Sequence, residues 1–437
     1  MSGMAEILFK KGYRVSGSDI LASTVTHRLS RLGIPIHYSH QAKNISGADA
    51  VIYSSAILPD NVELLAAKKE QVRIFRRAEM LGELMRLYYS IGIAGTHGKT
   101  TTTTMIGQIL TEAGLNPTLI VGGIVKELGS GARFGDGNYL VVEADEFDRS
   151  FLAMFPTLAV ITTLEAEHLD CYQNLEEIKK AFIAYANKIP FDGRAVVCID
   201  EPSIRDILPA IRGPKMTYGL KSNAEVYPQQ IEWIGLGSRF YVFHKQRRLG
   251  IVTLQVPGIH NIQNALASVA VGLELKIPFP RIRKALEKFR GVHRRFEIKG
   301  ERKGVLFVDD YAHHPTEIQA TLASARLSTA RRIVAIFQPH LFSRTRDFYR
   351  DFGCAFFDAD VVAITSIYPS REKPIAGVSA RWIVKEAQRV RHPQVLFFPD
   401  PKQLLRRMPS FLRRNDLCVT LGAGDIWKTG EALMEKI

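Results

Sequence analysis

One stretch constrains this chain more than any other: Ile91-Gly92-Ile93-Ala94-Gly95-Thr96-His97-Gly98-Lys99-Thr100-Thr101-Thr102-Thr103. An apolar run stops at glycines, then lysine and hydroxyls follow. After them Met105, Ile106, Ile109 and Leu110 recur at helical spacing. The pattern predicts a strand, a tight loop and a helix N-terminus. Such a loop aims backbone N–H groups at an anion, and the helix dipole favours negative charge there. Gly95, Thr96, His97, Gly98 and Thr101 would cradle the phosphates of a nucleotide. Lys99 would reach the β/γ-phosphates, and the Thr100 hydroxyl would sit on Mg²⁺. Ile93 stands where the longer phosphate-loop pattern has its first glycine, so only the shorter G-x-x-G-K-T is present.

At 437 residues the chain is too long for one core. Its net charge of +14 suits polyanionic ligands. The basic residues are scattered, as in Arg406-Arg407 and Arg413-Arg414, without interleaved aromatics. That argues for a solvated basic surface and against nucleic acid. Cys171, Cys198, Cys354 and Cys418 are far apart and form no C-x-x-C, which fits reduced thiols. With no signal peptide and no apolar run of the ~18 residues a membrane helix needs, the expectation is a cytoplasmic protein without membrane insertion.

Before the loop lies a first domain, expected over 1–89. Its opening residues read as helix, with Met4, Ile7 and Leu8 on one face, followed by a short strand at Tyr13–Gly17. The strand and glycine loop that open a dinucleotide-type β-α-β unit are absent from this sequence. A late gene start and a lost part of a nucleotide site both account for that. Ala50 to Ala56 reads as a buried strand ending in Ser54 and Ser55, a ligand edge. A helix is expected from Arg76 to Tyr89.

A central domain is expected over 90–293. Tyr139 to Glu146 reads as a buried strand ending in acids, and Glu143 is placed for the metal side of a phosphate loop. The strand at Ala159–Thr163 delivers Glu165-Ala166-Glu167-His168-Leu169-Asp170, where His168 either binds a second metal or caps a helix. Short alternating segments from Met216 to Val256 predict antiparallel strands. Pro257-Gly258-Ile259-His260-Asn261 opens a helix; His260 or Asn261 can be its N-cap, and Asn264 can reach a base. In the last domain, expected over 294–437, paired Arg294-Arg295 can clamp phosphate or be surface charge. There Val305 to Glu317 packs Asp309, Asp310, Tyr311, His313 and His314 at one strand edge. A second edge delivers Gln338-Pro339-His340-Leu341-Phe342-Ser343-Arg344. Later strands at 361–365, 394–398 and 417–421, with helices between, predict a small doubly wound α/β domain. The glycines of Gly422-Ala423-Gly424 are a weak signal.

Taken together, the Gly95–Thr100 loop, Glu143–Glu146, Glu165–Asp170, His260–Asn264, Arg294–Glu297, the Asp309–Glu317 run and Phe337–His340 resemble the ATP-dependent Mur ligases of peptidoglycan synthesis. The resemblance covers nearly the whole chain, and the last two motifs favour the alanine-adding branch. Later ligases of the pathway lack the His-His-Pro-Thr-Glu run and carry a carbamylated lysine where Phe182 stands, with Lys179 and Lys180 nearby. The resemblance implies three α/β domains: an N-terminal Rossmann-like domain truncated at its first strand, a central phosphate-loop ATPase-like domain with a mixed sheet, and a C-terminal Rossmann-like domain.

It also implies a reaction. The carboxylate of UDP-N-acetylmuramate attacks the γ-phosphate of ATP, and L-alanine then attacks the acyl phosphate. Thr100 and Glu143 would hold one Mg²⁺ and His168 a second. Asn264, Arg295 and Asp310 would contact ATP. Tyr311, His313 and Arg344 would face the muramate and the alanine, assembled by domain closure, in a monomer or homodimer. Lys99, His168, Arg295, His313 and Arg344 form the implied catalytic set. The sequence departs from the family in lacking the first glycines of its N-terminal G-x-G-G-x-G loop, and in Leu341, where some relatives carry arginine. The alternatives are a murein-tripeptide recycling ligase, a folylpolyglutamate-type ligase sharing only the loop, and a nucleotide-binding remnant of weak activity.

Overall fold

The computed structural model describes residues 1–437 except 55, 126–129, 166–170 and 371, with backbone only at 123–125 and 130–131. The chain divides into two compact units: 1–229 with 241–250 and 263–286, and 230–240 with 251–262 and 287–437.

The main sheet of the first unit is built around Tyr89–Ala94, whose six residues are small or apolar and almost wholly buried. A strand buried on both faces reads this way because helices cover each side of a parallel sheet. It pairs in parallel with Tyr139–Glu143 on one side and Leu158–Ile161 on the other. The ten strands run Arg247–Leu254, Gly237–His244, Val226–Ile234, Lys215–Tyr218, Arg194–Cys198, Leu158–Ile161, Tyr89–Ala94, Tyr139–Glu143, Thr118–Val125 and Ser130–Arg133; the first three divide between the two units by residue. Met105, Ile106, Ile109 and Leu110 of the Lys99–Glu112 helix are buried, as their spacing predicts.

Several element boundaries differ from the sequence reading. The helix expected to reach Tyr89 is Arg77–Met85, and Tyr89 itself opens the central strand. The first short strand is Gly17–Ser18 instead of Tyr13–Gly17. Near the N-terminus there are two parallel strand pairs, Gly17–Ser18 with Ile36–His37 and Ala50–Tyr53 with Arg73–Arg76. Lys215–Tyr218, which includes Met216, pairs in parallel with Arg194–Cys198, so the parallel sheet extends further than expected. The helix after Gly258 is Ile259–Glu274, so His260 and Asn261 lie inside its first turn. The Asn261 Nδ2 donates to the Pro257 carbonyl at 2.6 Å.

The second unit is organised on a six-stranded sheet in the order Glu297–Arg302, Val305–Asp310, Asp416–Leu421, Arg332–Phe337, Val361–Thr365, Val395–Phe398. Glu297–Arg302 is antiparallel to its neighbour, and the rest are parallel. Phe337, Phe352, Phe356, Ile318 and Leu322 form the core on one face. Val334, Ile336, Cys418 and Leu404 form it on the other. No helix among the described residues is long and apolar enough to cross a membrane. No disulfide joins any two of the four cysteines, and burial pushes the Cys198 thiol up to about 12.

Candidate active site

In the first unit the sequence folds the phosphate loop by steric necessity. Gly95 has φ +144° and Gly98 φ +82°. A Cβ on Gly95 would land on Thr162 Oγ1, and one on Gly98 would lie 2.6 Å from Asn264 Oδ1. Both positions therefore need glycine. The loop is fastened to the end of Leu158–Ile161. Thr96 N donates to the Thr163 carbonyl at 3.1 Å, His97 N donates to Thr163 Oγ1 at 2.7 Å, and Thr162 Oγ1 donates to the His97 carbonyl at 2.5 Å. Gly98 stands at the N-cap of Lys99–Glu112, so Thr100 and Thr101 fall in its first turn.

Lys99 Nζ lies 2.6 Å from the Gly95 carbonyl and 2.9 Å from both oxygens of Glu146. Asn264 is buried and accepts from Thr102 Oγ1 at 3.1 Å, which places it beside the first turn of the loop helix. Glu143 ends its strand opposite Ile93, two residues before Gly95. The strand stops there, short of the expected Glu146, because Asp145 and Glu146 turn away into a short 3-10 segment, Phe147–Ala153. His97 Nε2 lies 3.6 Å from Glu165 Oε2. His168 and Ser55 lie outside the described residues. Ser54 is half-buried just after Ala50–Tyr53. Phe182 is fully buried edge-on to Phe151, and Lys179 pairs with Glu176 and Asp206.

The second unit gathers the remaining candidates at the ends of Val305–Asp310 and Arg332–Phe337. Asp310 accepts from Phe296 N and Ala312 N, each at 2.8 Å. Burial pushes its carboxyl up to about 6, with Arg295 and the two amides opposing. His313 Nδ1 lies 2.9 Å from the Tyr311 carbonyl, an acceptor, so Nδ1 bears the proton and Nε2 carries the lone pair. Burial holds this imidazole down at about 3, and it is neutral at ordinary pH. Glu317 joins His313 to Arg295: its Oε2 is 3.2 Å from His313 Nδ1 and its Oε1 3.2 Å from Arg295 Nη1. The His313 and His340 rings lie 5.9 Å apart. Burial and the Arg344 charge lower His340 to about 4. Arg344 Nη1 lies 3.3 Å from His340 Nδ1.

The sequence reading missed four contributors. Glu146, Thr162 and Thr163 position the loop, and Glu317 links Arg295 to His313. All four stand inside segments that reading had quoted, but a carboxylate's partner depends on where a turn aims it. The sequence allowed Arg294 as half of a phosphate clamp or as surface charge; the fold uses it as an internal tie. It donates to Asp309 Oδ2 at 2.9 Å and to the carbonyls of Gly424 and Gly422 at 3.0 and 2.5 Å. The weak glycine signal at 422–424 thus marks carbonyls turned toward an arginine.

A glycine-cornered loop between a buried parallel strand and a helix N-terminus, an acid on the neighbouring strand, and a second α/β unit carrying histidines beside arginines make this an α/β protein with a loop of the kind that receives anions. Residues 1–89 match the Mur ligase family, catalytic domain; 93–272 match the Mur ligase middle domain; and 294–424 match the Mur ligase, glutamate ligase domain. The chain belongs to the Mur ligase family. It is 46% identical over 435 residues to UDP-N-acetylmuramate–L-alanine ligase of Desulfatibacillum aliphaticivorans, covering 99% of this chain and 95% of that one. It is 47% identical over 437 residues to the enzyme of that name from Salinibacter ruber, covering 100% and 92%. Among solved structures, UDP-N-acetylmuramate–alanine ligase of Thermotoga maritima aligns with TM-score 0.83 and 29% identity, over 100% of this chain and 96% of that one. The fold is also that of a murein peptide ligase from Psychrobacter arcticus, with TM-score 0.71, 23% identity and coverage of 100% and 96%.

Proposed function

We propose that this chain joins L-alanine to the carboxylate of UDP-N-acetylmuramate at the expense of ATP, in the cytoplasmic steps of peptidoglycan synthesis. The observation that carries the reading is the Gly95–Thr101 cradle centred on Lys99, in a chain 46% identical along its length to an alanine ligase. The muramate carboxylate attacks the γ-phosphorus and ADP leaves. The alanine amine attacks the acyl carbonyl and phosphate leaves. Lys99 and the loop amides hold the β/γ-phosphates as charge moves onto the leaving ADP. Neutral His313 offers its Nε2 lone pair to the alanine amine as a hydrogen-bond acceptor that orients it. Arg344 and Arg295 bind the carboxylate and phosphate groups, and Asp310 contacts ATP. Asn264 braces the loop helix and reaches the nucleotide. Tyr311 lines the amino-acid side and Ser54 the UDP-sugar side, where Ser55, outside the described residues, would join it.

The donors beside the loop suit Mg²⁺. The Thr100 hydroxyl and Glu143 carboxylate are hard oxygen ligands, and Gly122 leaves room at Glu143 Oε2, a Cβ there lying 3.0 Å away. They would hold one ion, with His168 on a second. Such ions neutralise phosphate charge when bound. The proposed domains are 1–89 for the UDP-sugar, 90–293 for ATP and 294–437 for the amino acid.

The test is ADP release from ATP and UDP-N-acetylmuramate with and without L-alanine, alongside Lys99→Ala. Release should require alanine and vanish in the variant while its circular dichroism stays native. Release that ignores alanine refutes the reading, and release that needs a tripeptide in its place makes the chain a recycling ligase.

A further inference from the structure

The cation that the reading above assigns to the nucleotide already has an anion. Both oxygens of Glu146 lie 2.9 Å from Lys99 Nζ. The Glu146 side chain is 2% exposed and that of Lys99 16%. A carboxylate this deep is costly unless paired, and the two-oxygen contact supplies the pairing. An ammonium has three N–H donors. The carbonyls of Gly95 and Thr96 accept at 2.6 and 3.4 Å and both Glu146 oxygens at 2.9 Å, so a phosphate gains an N–H only by displacing one of these acceptors.

The backbone around Glu146 is held apart from this contact. Tyr172 Oη donates to the Glu146 carbonyl at 2.8 Å. Arg149 lies over the Tyr172 ring and donates to Glu177 Oε2 at 2.9 Å. Asp148 and Arg149 both take left-handed backbone, φ 53° and 55°, a conformation non-glycine residues avoid. Strain of this kind persists only where surrounding contacts over-determine it. These contacts anchor the backbone separately from the carboxylate.

We propose that Glu146 is the resident counter-ion of Lys99, a positioning residue that keeps the ammonium in the loop of the nucleotide-free enzyme and is displaced by phosphate. Binding is then an exchange of one anion for another on a single cation, and Glu146 lowers the affinity for nucleotide while preserving the geometry of Lys99. The inference rests on the assignment of Lys99 to the phosphates.

The test is calorimetric titration of Mg-ADP into the full chain and four variants. Glu146→Gln removes the competing charge at nearly constant shape and should tighten ADP by about tenfold. Glu146→Met, uncharged and of similar length, carries the same expectation should the amide not fold. Lys99→Ala should weaken ADP strongly. Tyr172→Phe loosens the backbone anchor without changing charge and should leave affinity within about twofold. A merely structural Glu146 would lower the melting temperature without tightening ADP. Unchanged or weaker binding in Glu146→Gln, with Lys99→Ala weakened, overturns the counter-ion and leaves the phosphate assignment standing. Tyr172→Phe tightening as much as Glu146→Gln overturns it too, because loop loosening would then be the cause. Unchanged binding in Lys99→Ala overturns both.

Discussion

Replacing Asp310 by asparagine should invert its effect on stability between acid and neutral pH. In the fold the carboxyl sits at about 6, against the usual 3.8, because burial outweighs Arg295 and the amides of Phe296 and Ala312. A carboxyl raised in this way binds its proton more tightly when folded. Its contribution is full below about pH 4 and is lost as pH rises through about 6. The displacement from 3.8 to about 6 corresponds to roughly 3 kcal/mol. Asparagine avoids that loss, but its NH₂ faces one of the amides that both oxygens now accept, at about 1–2 kcal/mol. The variant should thus be less stable than the native chain near pH 4 by about 1–2 kcal/mol and more stable near pH 8 by a similar amount. Urea melts across this range measure the difference, and hydrogen exchange at the Phe296 and Ala312 amides localises it to the second unit. A difference flat with pH, or a native chain that gains on the variant as pH rises, refutes the argument.

Gly95→Ala should abolish ADP binding, read by calorimetry, because its Cβ would occupy the position of Thr162 Oγ1 at φ +144°. Leu341→Gly should raise the melting midpoint by the equivalent of about 1 kcal/mol, because Leu341 has φ +71° ahead of the Phe342–Cys354 helix. Arg294→Lys cannot reach Asp309, Gly422 and Gly424 with one planar fork, and should destabilise the second unit by about 1–3 kcal/mol in denaturant melts.

What was legible in the sequence was whatever a short stretch dictates by itself. Gly95 and Gly98 announce a loop because no other residue fits their backbone, and the buried parallel strands announce themselves as apolar runs. The Asp309–Glu317 cluster was legible as a crowd of titratable groups. Which of them would be neutral was not, since that depends on burial contributed by other elements. Arg294 was not legible as an internal tie because its partners, the carbonyls of Gly422 and Gly424, lie 128 and 130 positions away along the chain. The Tyr139 strand was read too long because acids continue its pattern, whereas charged side chains leave a sheet where its covered surface ends. Lys215–Tyr218 was read as antiparallel, yet it is parallel to both neighbours, because alternation does not report a strand's partner.

The threonine fastening of the phosphate loop has a thermodynamic consequence. Thr96 N, His97 N and the His97 carbonyl are tied to Thr162 and Thr163 before any nucleotide arrives. The loop thus loses its freedom when the chain folds, and an incoming nucleotide loses only its own. Ordering of this loop should add little to the entropy or heat capacity of binding. The proposed hold on the phosphates would then be in part a property of a neighbouring strand, and substitutions at its end would loosen it without touching the ligand.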